Sequence, residues 1–356
     1  MIQPSATKPL HLITPSAEQI EQQWQALKAR ADRVTQTFSG QYSLKQFDYV
    51  QPEQLQNGVP ERLQKRYSVP VSYVAWGSPD KPVLLCCGGI ANTAMRFSFL
   101  AAALHKEFYV ICMDWLGRGR SGWLAHECEY NHATLLEQMR QMVRHLGTSR
   151  PLNLLGSSLG GNIAIDFAAQ HEHLVERLIL NDIGPFIHHQ RRQRRAEVLS
   201  RFHVFSNPED MTRRIGAAQK NDGPIDEETR LFVAWQQTRW STENRGRIYR
   251  YDMRSMQAYR RDAAENLDQW AAWQQIKCPV FLVHGMESDA LTTDTIERMR
   301  AHQNIEIMHV PDTGHTPTLC DQNQLHFIHH WLLDKATSRS EYTSLHHHPN
   351  PLKRAL

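Results

Sequence analysis

No apolar run in this sequence approaches the roughly 20 residues needed to cross a bilayer, and net charge is almost absent. Forty Lys and Arg stand against 37 Asp and Glu, a formal charge of +3 over 356 residues. That is too little for a protein built mainly to bind nucleic acid. Met1 to Pro15 has no basic stretch followed by an apolar one, so no secretory signal is expected and the chain reads as cytoplasmic. Metal patterns are missing as well. Six cysteines and 20 histidines form neither a Cys-x-x-Cys nor a His-Glu-x-x-His run, so no catalytic metal and no cofactor are expected. Cys86 and Cys87 are adjacent in an apolar run and would point to opposite faces of a strand. They read as core thiols rather than disulfide partners.

What is present is a full-sized core, at 41% hydrophobic residues, with alternating strand and helix grammar. Ser16 and Gln19 have capping-box spacing. Ile20, Trp24, Leu27, Ala31, Val34 and Phe38 then form one apolar stripe, predicting an amphipathic helix that packs on the main domain. Residues 66–76 alternate in β-rich fashion. Short apolar runs follow at residues 82–87, 108–114, 152–156, 175–182, 278–284 and 305–310, as expected of strands covered on both faces. Helical segments fall between them, at residues 96–105, 134–146, 161–171, 292–301 and 322–335. This alternation predicts an α/β protein with a mostly parallel sheet and helices on both faces.

One block breaks the rhythm. Between Asp182 and Cys278 there is little strand character, and the reading is a helical insertion over the strand ends. Its Arg191-Arg192-Gln193-Arg194-Arg195 cluster reads as a solvated helix face. The expected organisation is an N-terminal extension at 1–45, a core at 46–183 and 275–337, a helical cap at 184–274, and a disordered tail at 338–356. Met1 to Pro15 is expected to be loose.

The chemistry centres on Leu152-Asn153-Leu154-Leu155-Gly156-Ser157-Ser158-Leu159-Gly160-Gly161. A strand-like run enters Gly-x-Ser-x-Gly and a helix-like run leaves it, the setting of a nucleophile elbow. Ser158 is the candidate nucleophile. Its partners should arrive on later strand ends, because ligand crevices in parallel sheets lie beyond the carboxyl ends of the strands. His315, in Pro311-Asp312-Thr313-Gly314-His315, is the candidate base. Asp289 is the candidate acid, with Asp182 the alternative, since it too follows a strand; Asp294 looks like a helix-start residue. The oxyanion hole should combine the N–H groups of Leu159 and Gly89. Asp114 reads as a structural carboxylate in the Gly-rich turn that follows it. Gly117-Arg118-Gly119 lacks the Lys-Ser/Thr ending of a phosphate loop. Phe186, Trp235 and Trp240 are candidates for the wall of an acyl pocket.

The sequence resembles the α/β-hydrolase superfamily, in particular its cap-bearing serine esterase-like branch, over roughly residues 66 to 335. Cys87-Gly88-Gly89 stands where that family usually has His-Gly-x. Asp114-Trp115-Leu116-Gly117-Arg118-Gly119-Arg120-Ser121 resembles its Asp-x-x-Gly-x-Gly-x-Ser loop, and Asn181-Asp182-Ile183-Gly184-Pro185 the segment leading into its cap. Residues 285–289 and Gly314-His315 resemble its acid and base loops, in the order Ser…Asp…His. The resemblance implies a serine hydrolase that cleaves a small carboxylic ester or thioester through an acyl-enzyme. Serine at 158 sets it apart from the branches with an aspartate nucleophile. Two alternatives stay open: a carbon–carbon bond hydrolase of a dienoate-type diketone, and a slow or non-catalytic ligand-binding protein of the same fold. Oligomeric state is open.

Overall fold

The computed structural model describes residues 16–219, 222, 223, 225–333 and 341–344. Helix α1 spans Ala17–Thr37 and opens on the capping box read from the sequence: Ser16 accepts from the Gln19 N–H, and the Gln19 side chain accepts from the Ser16 N–H. Its stripe is buried, but not against the main sheet alone. Trp24, Leu27 and Ala31 cluster with Phe205, Met211 and Leu231 of the insertion, while Val34 and Phe38 join the main core. Arg30 reinforces the first contact through Glu227 and Glu228.

The chain then enters the sheet. Strands β1 (Tyr42–Gln51), β2 (Tyr67–Trp76), β3 (Val83–Cys87), β4 (Tyr109–Met113), β5 (Leu152–Ser157) and β6 (Val175–Asn181) come first. Helices α2 (Ser98–Leu104), α3 (His132–Leu146) and α4 (Leu159–Gln170) lie between them. β1 begins at Tyr42, inside the stretch expected to be an extension, and pairs with β2 along its whole length.

The block after β6 holds β7 (Phe186–Ile187), α5 (His189–Leu199), β8 (Val204–Phe205), α6 (Pro208–Gln219), α7 (Glu227–Gln236), β9 (Thr238–Ser241), β10 (Gly246–Tyr249), α8 (Met253–Asp262), β11 (Leu267–Asp268) and α9 (Trp270–Trp273). The expectation of a purely helical insertion is therefore corrected. Five short strands form a three-stranded β8-β10-β9 sheet and a β11-β7 pair. Segments of two to four residues are too short for a two-residue alternation to be visible in the sequence.

The sheet resumes with β12 (Val280–Gly285), followed by α10 (Thr293–His302), β13 (Ile305–Val310), α11 (Gln322–Leu332) and β14 (Glu341–Thr343). β14, parallel to β13, corrects the expectation of disorder for those three residues. The expected loose stretch at 1–15 and the rest of the expected tail, 338–340 and 345–356, lie outside the described residues.

The large sheet runs β1-β2-β4-β3-β5-β6-β12-β13-β14, and only β2 opposes its neighbours. Every residue of β3, β4, β5 and β12 is buried, because helices cover both faces. Cys86 and Cys87 fall into different core clusters, on opposite faces as their adjacency requires. Among the described residues, no helix is long and apolar enough to cross a membrane.

Candidate active site

Ser158 sits between the end of β5 and the start of α4, at φ 51° and ψ −118°. A left-handed φ costs a non-glycine residue about 1–3 kcal/mol and persists only where its surroundings enforce it. Here two neighbours make the turn possible by having no side chain. A Cβ on Gly156 would lie 2.4 Å from the Cα of Gly161, and one on Gly160 would lie 2.1 Å from the carbonyl oxygen of Cys87. The turn leaves Ser158 at the N-terminus of α4, where the Leu159 N–H has no partner within the helix and the helix dipole favours negative charge.

His315 comes from the loop after β13. Its Nε2 lies 2.9 Å from Ser158 Oγ, and its Nδ1 lies 2.9 Å from Asp182 Oδ2. Asn181 Nδ2 donates to Pro317 O and Arg96 Nη2 to Thr316 O, each at 2.9 Å. The loop is thus pinned at the two residues that follow the ring. Burial pulls the His315 pKa below its ordinary value. The Asp182 bond opposes that shift, while the nearby Arg191 and Arg195 charges add to it. The ring is therefore neutral, and able to accept a proton, at neutral pH.

The carboxylate on His315 is Asp182, the alternative acid; the expectation of Asp289 is corrected. Asp182 follows β6 directly, at φ 54°, and is fully buried. Gly285 N–H donates to its Oδ1 at 2.9 Å and Ser288 Oγ donates to its Oδ2 at 2.5 Å. The loop that resembles the family's acid loop thus supplies donors to an acid from the neighbouring strand. Asp289 lies one residue beyond Ser288 with its side chain 60% exposed, and pairs with Arg191 at 3.2 Å and Arg194 at 3.6 Å. Burial works against its ionisation, but Arg191, His315 and Arg194 hold its carboxyl below the usual range. Asp294 lies in the first turn of α10, as its helix-start reading implied.

On the opposite side of Ser158 runs the turn after β3. A Cβ on Gly89 would lie 3.3 Å from Ser158 Cβ, so this backbone borders the serine. The Gly89 N–H is not free, however: it donates to Asn92 Oδ1 at 3.1 Å. Although Cys87 replaces the usual histidine, the turn is held by other groups. Trp115 Nε1 donates to Gly88 O at 2.8 Å and Arg118 Nε to Ile90 O at 2.9 Å. Arg118 is buried, which pulls its guanidinium down to about 10. Asp114 accepts the N–H groups of Ala94 and Arg120, the structural role read from the sequence.

Ser158, Leu159, Gly89 and His315 open into one cavity of about 220 Å³. None of the three pocket candidates is among its described lining residues. Phe186 of β7 pairs with Asp268 of β11 and packs against the main core. Trp235 lies under the Arg247 guanidinium at 3.5 Å, and Trp240 packs edge-on against Trp24 while 46% exposed. Both tryptophans instead fasten α1 to the insertion. The wall is built by Leu135, Leu199, Tyr249 and Tyr251, together with Arg191, Arg192 and Arg195 of α5. The reading of that arginine cluster as a solvated face is corrected for these three. Their i, i+1, i+4 spacing, which places side chains on one side of a helix, was the available signal.

The alpha/beta hydrolase fold family matches residues 81–319. A 3-hydroxybutyrate-oligomer hydrolase from Cupriavidus necator is 29% identical over 265 residues, 72% of this chain and 90% of that protein. A putative hydrolase from Rickettsia typhi superposes with a TM-score of 0.74 at 23% identity, covering 83% of this chain and 100% of the other. An alpha/beta hydrolase from Novosphingobium aromaticivorans superposes with a TM-score of 0.69 at 20% identity, covering 82% of this chain and 98% of the other. The nine-stranded, largely parallel sheet and the turn at Ser158 agree with these matches: the chain belongs to the alpha/beta hydrolase fold family.

Proposed function

We propose that this protein is a serine hydrolase that cleaves a small carboxylic ester through an acyl-enzyme, with Ser158, His315 and Asp182 as its triad. The observation that carries the reading is the continuous chain from Ser158 Oγ through both nitrogens of His315 to Asp182, with each link at 2.9 Å. Nε2 accepts the Ser158 proton as Oγ attacks the carbonyl carbon. Asp182 holds the tautomer and stabilises the imidazolium that forms. The oxyanion takes the Leu159 N–H and the Gly89 N–H, the latter released by Asn92; each such donor is worth about 3 kcal/mol in the transition state. When the tetrahedral carbon collapses, the C–O bond to the leaving alcohol breaks and His315 protonates that oxygen. His315 then deprotonates a water that attacks the acyl carbon, and the proton returns to Ser158 as the acid departs.

The substrate we propose is an oligoester of a short hydroxy acid. The Cupriavidus necator relative is named for hydrolysing 3-hydroxybutyrate oligomers, and a cavity of about 220 Å³ suits short acyl units. Residues 184–274 would act as the cap that closes over it. The test is turnover of the 3-hydroxybutyrate dimer beside a simple butyrate ester, an acyl thioester and a dienoate-type diketone. Oligoester and ester should turn over, and Ser158→Ala should abolish both. A preference for the diketone would favour carbon–carbon bond cleavage. Turnover that survives Ser158→Ala would remove the mechanism.

A further inference from the structure

The cavity beside Ser158 contains a guanidinium that no described residue pairs directly. Four arginines line it, and three have clear internal employment. Arg118 is bonded to the carbonyls of Ile90 and Leu116. Arg191 pairs with Asp289, and Arg192 donates to Glu265 O while lying over the Tyr259 ring. Arg195 is different. Among the described residues, no hydrogen bond or ion pair engages its guanidinium. Asp222, the acidic residue that attracts it, already receives Arg96 Nη1 at 3.1 Å, and Arg96 is itself almost fully buried. Asp262, also on the cavity wall, pairs with Arg261. Burial lowers the Arg195 pKa, and the like charge of Arg191 lowers it further.

Arg195 is half-buried on the cavity wall; charges drawn away from bulk water are ordinarily paired, and a guanidinium is a planar fork matched to two oxygens of one anionic group. We infer that Arg195 receives a carboxylate of the substrate, so that the ester cleaved at Ser158 carries its own free acid end. One unanswered guanidinium calls for one monoanion. A doubly charged phosphate would bring a second negative charge into a cavity whose wall already carries Asp222 and Asp262. Nucleophile and anion site share one cavity, so carboxylate and scissile carbonyl belong to the same small molecule. An oligomer of a hydroxy acid has this form, with ester bonds along the chain and a carboxylate at one end. This inference rests on the ester-hydrolase reading and narrows it: neutral esters would turn over, but less efficiently than esters that carry a free acid, and cleavage would be directed from the acid end.

The experiment compares the 3-hydroxybutyrate dimer as free acid with its methyl ester, in wild type, Arg195→Gln and Arg195→Lys. Wild type should prefer the acid. In Arg195→Gln the acid-to-methyl-ester ratio of kcat/KM should fall roughly 10- to 100-fold, the range for losing hydrogen bonds to a charged group, with the loss in KM rather than kcat. Arg195→Lys should recover part of that ratio, because it keeps the charge without the fork. An unchanged ratio, or no preference in wild type, overturns the inference while leaving ester hydrolysis standing. If wild type hydrolyses neither compound, the ester reading fails, and binding decides the anion site. The free acid should then raise the Tm of Ser158→Ala more than that of the Ser158→Ala, Arg195→Gln double variant. Equal shifts in the two proteins overturn it.

Discussion

Asp182 and Asp289 leave the ends of two neighbouring parallel strands, β6 and β12, yet the fold treats them as opposites. Asp182 is fully buried, bonded to a backbone N–H, a serine hydroxyl and the His315 ring. Asp289 is 60% exposed and held by two arginines. A carboxylate becomes an orienter of histidine by reaching Nδ1 and by having its remaining lone pairs satisfied, not by occurring in a loop of the right kind. The β12 loop supplies the Gly285 N–H and the Ser288 hydroxyl that hold Asp182 in place.

The largest effect should separate the two aspartates directly. Asp182→Asn is expected to lower kcat about 10³- to 10⁴-fold, since an amide stabilises the wrong imidazole tautomer. Asp289→Asn should stay within about threefold of wild type, because an exposed ion pair contributes little. Ester turnover by the two variants decides, and the reverse ranking would restore Asp289 as the acid. Next in size is Ser288→Ala. It takes one donor from the buried Asp182 and should destabilise the protein by about 1–3 kcal/mol, read as a lower midpoint in urea, with roughly a tenfold fall in kcat. Loss of the Asp289 ion pairs should be smaller still. Asp289→Asn is expected to reduce stability by less than about 1 kcal/mol at a site this exposed, and a midpoint shift as large as that of Ser288→Ala would contradict the contrast.

The smallest effect concerns pH. His315 must be neutral to accept the serine proton, and its pKa is lowered by burial and nearby arginines. Activity is therefore retained as pH falls through the ordinary imidazole value near 6.5 and is lost only below it. Arg191, the partner of Asp289, is one of the charges that lowers His315. Arg191→Gln should shift the acidic limb of kcat/KM upward, by a few tenths of a pH unit. A downward shift would mean that Arg191 does not act on the ring.

Much of this was legible in the sequence. Ser158 stood out because a strained turn admits few neighbours, and its two glycines meet backbone atoms where a Cβ would go. His315 was marked by a glycine-containing loop at a strand end. The choice between acids was not legible, because both followed apolar runs and nothing in one dimension shows which reaches a histidine on another strand. Arg195 was readable as part of a basic cluster, but not as an inward-facing charge. The pocket tryptophans failed for a related reason: aromatic content announces burial without naming the partner. For Trp235 and Trp240 the partner is α1.

Local chain physics determined the alternation of strand and helix, the sharp turn at Ser158 and the capping of α1, because each depends on residues within a few positions of one another. Tertiary structure alone decided which carboxylate meets His315 and which arginine faces the cavity with no ion pair among the described residues. The first depends on residues 133 positions apart in the chain, and both are set by how strands stack side by side and how the insertion folds back over them.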